Sequence, residues 1–185
     1  MGPSPKLTLL HPPLQRIGHR VPRTQIPCPR DAEQGHARAQ CKLGLCYDNG
    51  DGVEKNLAEA FRWYRKAAEQ GNAWAQFKRG FCYAKGDGVE KNPVEAVRWY
   101  RKAAEQGNAW AQNNLGSCYE KGTGVVQNDA QACVHYLIAN ALGATDTELM
   151  QDNLRRIRAW LPGEQYAEAQ QAATEWVVKF RAVAR

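Results

Sequence analysis

The sequence predicts an all-α protein, an α-solenoid (superhelix) of antiparallel helix pairs, on three observations. Residues 36–71, 72–107 and 108–143 are three copies of one 36-residue unit, and the first two copies agree at 26 positions. Within each copy, apolar residues recur at helical spacing on either side of a glycine turn. After the third copy, residues 144–185 keep that spacing while losing the repeat, as terminal helices that cover a solenoid's open end must. A fixed period of this length is the mark of stacked helix pairs, since one pair cannot bury its apolar face alone.

The chain divides accordingly. Residues 1–30 hold seven of the nine prolines, at a spacing that breaks any helix, and read as a disordered basic tail. Asp31 to Gly35, DAEQG, resembles the AAEQG that closes the first two repeats, so the array is entered in the last turn of a unit whose earlier part is missing or replaced. In repeat two, the first helix is expected over Ala73–Lys85, with Ala75, Gly80 and Tyr83 on its inner face and Gly80 allowing close approach of the partner helix. Gly86 and Gly88 make the turn, Val89 plugs it, Asn92 caps the next helix and Pro93 takes its first position. That second helix runs to about Gln106 with Val94, Val97, Tyr100 and Ala104 inward, and Gly107 ends it. Beyond Gly143, a helix from about Thr145 to Trp160 presents Leu149, Leu154 and Ile157. Pro162 and Gly163 break the chain, and a last helix from Glu164 to Arg181 buries Tyr166, Ala169, Ala173, Trp176 and Val177.

The net charge of +6 is not spread over the array. Lys6, Arg16, Arg20, Arg23 and Arg30 give the tail +5, leaving 20 basic and 19 acidic side chains in the other 155 residues. Of the six cysteines, Cys46, Cys82 and Cys118 occupy one position in successive repeats. Such positions lie about 10 Å apart across packed helices, too far for a disulfide, and these residues read as buried thiols. A Cys118–Cys133 link stays geometrically open.

The repeat residues also carry a resemblance. AxAQxxLGxxYxxGxGVxxN followed by WYxKAAEQG is similar to the Sel1-like repeat, a relative of the tetratricopeptide repeat, across His36–Gly143. The third copy departs from the pattern, with His135 at the tryptophan position of Trp63 and Trp99 and IANALG in place of RKAAEQG. Repeat two departs at Arg79, where Leu43 and Leu115 are apolar; an arginine there must snorkel or pair, which loosens the helix locally. The resemblance implies a solenoid whose first helices line a concave groove, a helical C-terminal extension and a role in binding other proteins.

The residues for chemistry are sparse. There are two serines, Ser4 and Ser117, and no GxSxG elbow; His11, His19, His36 and His135 form no ligand cluster. His135 is expected to fill the tryptophan slot as a packed side chain. The turn DNGDGVE lacks the alternate acids of a calcium loop, and no glycine-rich phosphate loop follows a strand. No catalytic residue, metal site or cofactor is expected. The basic–aromatic RWYRKAAEQG segments place Tyr64 and Tyr100 inward, and acids on the same helices cancel their charge.

The ten differences between repeats one and two are informative. Placed on the implied concave face, Arg38, Cys41, Leu45, Asp48 and Asn49 become Trp74, Phe77, Phe81, Ala84 and Lys85, so all five groove positions change. Trp74, Phe77 and Phe81 share one helix face, and Trp110 repeats the Trp74 position beside Asn113 and Ser117. Arg38, Trp74, Phe77, Phe81, Lys85, Trp110 and Asn113 are therefore the candidate partner-binding residues, suited to a peptide or helix of another protein. The expected function is a non-enzymatic interaction scaffold. The alternatives are nucleic-acid binding through the basic tail and an exported, disulfide-containing envelope protein. No apolar run reaches the roughly 20 residues of a membrane span, and Leu7–Leu10 is short for a secretory core, so the chain reads as cytoplasmic, or as periplasmic or secreted if its start lies upstream.

Overall fold

The computed structural model describes residues 29–143 and 147–183. Helices account for most of them: α1 (Pro29–Glu33), α2 (Ala37–Asn49), α3 (Leu57–Glu69), α4 (Ala73–Lys85), α5 (Pro93–Glu105), α6 (Ala109–Lys121), α7 (Asp129–Ala141), α8 (Thr147–Trp160) and α9 (Gly163–Val183). Residues 1–28 of the proline-rich tail and the start expected at Thr145 lie outside the described residues, whereas Pro29 and Arg30, read as tail, form the first turn of α1, where a proline's missing N–H has no intrahelical partner to lose.

Local chemistry sets the helix ends. Asn56, Asn72, Asn92, Asn108 and Asn128 each precede a helix and accept a hydrogen bond from the backbone N–H three residues on. A cap of this kind contributes about 1 kcal/mol. Each first helix stops at a left-handed glycine: Gly50, Gly86 or Gly122. The expected bounds of α4 are the observed ones, and α4 runs unbroken through Arg79.

The pairs α2–α3, α4–α5 and α6–α7 pack as units, and α3 on α4 and α5 on α6 join one unit to the next. Inside each unit a tyrosine ring of the second helix packs against a glycine of the first. A Cβ on Gly80 would stand 2.7 Å from the Tyr100 ring and 3.0 Å from the Ala96 carbonyl oxygen, so only glycine allows this approach. Tyr64 on Gly44 and Tyr136 on Gly116 repeat the contact. Alanines 60, 67, 68, 96, 103, 104, 132 and 139 are buried between the helices. Val94, expected inward, is 64% exposed. The buried face of α5 is centred on Ala96, Tyr100, Ala103 and Ala104, and Val94 points well away from that centre.

One hydrogen-bond motif recurs every 36 residues. The amide of Gln40 donates to the Ala32 carbonyl at 3.1 Å, Gln76 to Ala68 at 3.3 Å and Gln112 to Ala104 at 3.2 Å. Each of these glutamines also accepts a bond, Gln40 from Gln70 at 2.8 Å and Gln76 from Gln106 at 2.7 Å. Because α1 supplies the Ala32 carbonyl and is followed at Gly35 by the same left-handed turn as at Gly71 and Gly107, residues 31–35 do the work of a second helix's last turn.

At the other end α7 is covered by both α8 and α9. Ile157, Ala169, Ala173 and Val177 are buried, with Leu154, Tyr166 and Trp176 half-buried beside them. Leu149 is among the side chains outside the description. Phe180 of α9 reaches back to lie on Gly107, so the C-terminal helix contacts two repeats.

Candidate first-helix interaction face

The structure brings most of the candidate residues together on the faces of α4 and α6. Trp74 and Phe77 have ring centroids 5.1 Å apart, Phe77 and Phe81 6.4 Å, and Phe77 and Tyr100 6.2 Å. They form one continuous aromatic row, as their i, i+3, i+7 spacing requires. Their depths differ. Trp74 is 37% exposed, Phe81 and Trp110 are half-buried, and Phe77 is 8% exposed, seated beneath the other rings against Tyr100. Lys85 is exposed, with its ammonium 5.8 Å from the Phe81 ring centroid.

The two remaining candidates stand apart. Arg38 is exposed on α2 and takes part in none of the ion pairs among the described residues. Asn113 is 4% exposed at the α6–α8 junction, where its side-chain oxygen accepts from Asn153 Nδ2 at 3.1 Å. Phe77 and Asn113 thus back the surface, while Trp74, Phe81, Lys85 and Trp110 form it. Which side a first-helix residue faces depends on the rotation between repeats, which spacing within one repeat does not contain.

Two clefts open along this face. One, of about 410 Å³, lies between α4 and α6 and is lined by Phe81, Ala84, Lys85, Tyr100, Asn114 and Lys121 among others. The second, of about 510 Å³, lies between α6 and α8 and includes Glu120, Asn153, Arg156 and the exposed Trp160. They share Asn114, Ser117 and Lys121 and so form one continuous furrow.

Sequence reasoning missed the ion pairs that stitch this face together. The Tyr64 hydroxyl donates to Asp48 Oδ2 at 3.0 Å, and Lys78 of the next repeat reaches the same oxygen at 3.0 Å. Thirty-six residues after Tyr100, Tyr136 donates to Glu120 Oε2 at 2.7 Å, and Arg156 of α8 binds that carboxylate through two nitrogens at 2.8 Å each. Burial pushes the Glu120 carboxyl up, but the bonds from Arg156 and Tyr136 outweigh it and hold the group below its ordinary value. The signal was present in the sequence as an acid at positions 48 and 120 with alanine at 84.

The departures of repeats two and three are structural. Arg79 is 9% exposed, with its guanidinium 3.9 Å from the Trp99 ring centroid and Nη1 3.2 Å from Glu69. His135 half-fills the tryptophan slot, stacked on Tyr119 at 5.4 Å, with Nδ1 2.7 Å from Gln112 Oε1. Gln112 spends its amide on Ala104, so Nδ1 carries the proton. Cys41, Cys46, Cys82, Cys118 and Cys133 are free thiols, Cys118 and Cys133 included. Burial raises Cys82 to about 12 and Cys41, Cys118 and Cys133 to about 11. The basic side chains of the RWYRK segments lie over tryptophan, Lys66 4.3 Å from Trp63 and Lys102 4.4 Å from Trp99. No described helix is long and apolar enough to cross a membrane, and the described residues contain no cluster suited to a metal ion.

The family model described as "Sel1 repeat" matches residues 37–72, 75–108 and 111–143. Among solved structures, a Sel1 repeat protein from Oxalobacter formigenes is 36% identical at a TM-score of 0.61, over 76% of this chain and 62% of that one. A protective antigen present in uropathogenic Escherichia coli strains, displaying an SLR fold, is 30% identical at a TM-score of 0.53, over 82% of this chain and 40% of that one. The chain therefore spans less than two thirds of either structure's length. No match is found among the curated proteins.

Proposed function

The chain belongs to the Sel1 repeat family, whose members generally act as protein–protein interaction scaffolds, and on that premise we propose that it binds a segment of a partner protein along the first-helix, concave face of its array. One observation supports the reading above others. Repeats one and two share 26 of 36 residues, yet all five inferred groove positions of the first helix, 38/74, 41/77, 45/81, 48/84 and 49/85, differ, and three of the changes build the Trp74–Phe77–Phe81 row. Rigid aromatic anchors rimmed by charge are the usual energetic centre of an interface. The family is typically non-catalytic, and the face offers anchors rather than a nucleophile and base. The adaptor therefore works by presentation: α5 and Tyr100 hold the aromatic row from beneath, and the furrow admits an extended or helical segment.

The test is partner capture from an extract, repeated with Trp74→Ala/Phe81→Ala. These two side chains form the surface, whereas Phe77 belongs to the core and its loss would unfold as well as unbind. Captured partners are expected to lose at least about 2 kcal/mol of affinity while the melting temperature holds. Full binding by a folded double variant would overturn the assignment.

A further inference from the structure

The three repeats place a tyrosine hydroxyl at the same point of the face, at Tyr64, Tyr100 and Tyr136. In repeats one and three that hydroxyl donates to a carboxylate within the chain, Asp48 or Glu120, and a cation from the following helix neutralises the acid. In repeat two the acid's position is Ala84, and the cation's position, matching Lys78, is Asn114. The Tyr100 hydroxyl, with Asn114 beside it, then faces the α4–α6 cleft without an acid to bind.

That cleft keeps the means to bind one. Lys85, Lys91 and Lys121 line it with Ser117 and Thr123, and no acidic residue does. None of the three lysines belongs to an ion pair among the described residues. Hydroxyl and amide donors fixed on helices beside uncompensated ammonium groups are suited to an anion, and charge-assisted hydrogen bonds to a carboxylate are about twice as strong as neutral ones. Phe81, which ends the aromatic row, lines the same cleft.

We propose that this cleft takes an Asp or Glu side chain of the bound partner segment, filling the place that Asp48 and Glu120 fill in the flanking repeats. The proposal rests on the interaction reading above and gives the partner its chemistry: an acidic residue flanked by apolar ones that lie on Trp74 and Phe81. A side chain fits better than a chain terminus, for two reasons. The in-chain groups that set the pattern are side-chain carboxylates. The cleft also continues past Asn114, Ser117 and Lys121 into the α6–α8 furrow, so a segment passes through instead of ending there.

The experiment uses fluorescein-labelled peptide pools of about nine residues, with positions around the centre degenerate in Phe, Leu and Trp. One pool has a central Glu, one a central Gln, and one is truncated at the centre to a free C-terminus; binding is read by anisotropy on the full chain. The Glu pool is expected to bind about tenfold more tightly than the Gln pool, with the difference shrinking in high salt. Ala84→Glu installs the acid that repeat three already has. It is expected to remove the preference of the Glu pool over the Gln pool and keep the melting temperature. Lys85→Gln/Lys121→Gln, at exposed positions, is expected to give the same loss through the surface charge alone. Equal binding of the Glu and Gln pools overturns the carboxylate site, and the scaffold reading survives if that binding is lost in Trp74→Ala/Phe81→Ala. Preference for the truncated pool alone overturns the side-chain assignment. Failure of every pool to bind overturns the site and the scaffold reading together.

Discussion

Arg79 lies over Trp99, its guanidinium carbon 3.9 Å from the ring centroid, in the slot where Leu43 and Trp63 meet in the repeat before. The charge is 9% exposed, Nη1 is held by Glu69, and Nε is buried without a partner. A charge placed so deep is worth little over an apolar residue of similar size, yet truncating it opens a hole. Arg79→Leu is therefore expected to leave stability level or raise it by up to about 1 kcal/mol, and Arg79→Ala to lower it by about 2–3 kcal/mol. Urea unfolding followed by tryptophan fluorescence measures both, and a large loss in Arg79→Leu would show that the cation–π stack outweighs the desolvation.

Gly80→Ala gains helix propensity of about 1 kcal/mol and loses the seat of Tyr100. The new methyl group would meet the ring at 2.7 Å and the Ala96 carbonyl oxygen at 3.0 Å, one of them rigid backbone. Overpacking should win, with a net loss of about 2 kcal/mol in denaturant unfolding. A neutral result would mean that α4 and α5 can separate without cost.

His135 makes the array acid-sensitive at its third repeat. Burial, helped by Arg101, lowers the imidazole to about 4 from the ordinary 6.5. The unfolded chain therefore takes up the proton first: stability is full above about pH 6.5 and is lost as pH falls toward 4. His135→Phe is expected to flatten the fall in melting temperature between pH 7 and pH 4.5, its advantage over the parent growing by up to about 2 kcal/mol at the acid end. Parallel pH profiles for the two proteins would contradict this.

Glu120 and Arg156 fasten α8 to the last repeat through a two-pronged bond, with Glu120 the buried partner and Arg156 half in solvent. Arg156→Gln is expected to cost about 1–2 kcal/mol, because it leaves a carboxylate short of its cation. In a solenoid that loss should stay local. Amide exchange should quicken in α8 and in the C-terminal half of α6 while α2 to α5 keep their protection.

Helix bounds were legible because they are written locally, in asparagine caps, Pro93 and left-handed glycines, and α4 was read to the residue. The aromatic row was legible for the same reason, since it lies on one face of one helix. What escaped was set by how the helices pack on one another. Phe77 and Asn113 occupy groove positions by count but are covered by Tyr100 and by Asn153, and Val94 fits the apolar spacing yet falls off the buried face. The pairing of Arg79 with Trp99 and Glu69 spans two repeats. Positions 48, 84 and 120 held a readable clue, an acid lost and regained, whose meaning came only when Tyr64, Tyr100 and Tyr136 were seen facing them.

The glutamine bridges at residues 40, 76 and 112 bear on how such a chain can grow. Each rung joins the carbonyl end of the unit before to the glutamine amide that closes its own unit, so a duplicated block of residues 72–107 would find a matching rung on both sides. The third unit breaks the rule, with Leu142 where Gln70 and Gln106 stand and His135 turned to fill Gln112's vacancy. The same rung is thus available to an added copy beside the first two units, whereas the third lacks the glutamine that would close it.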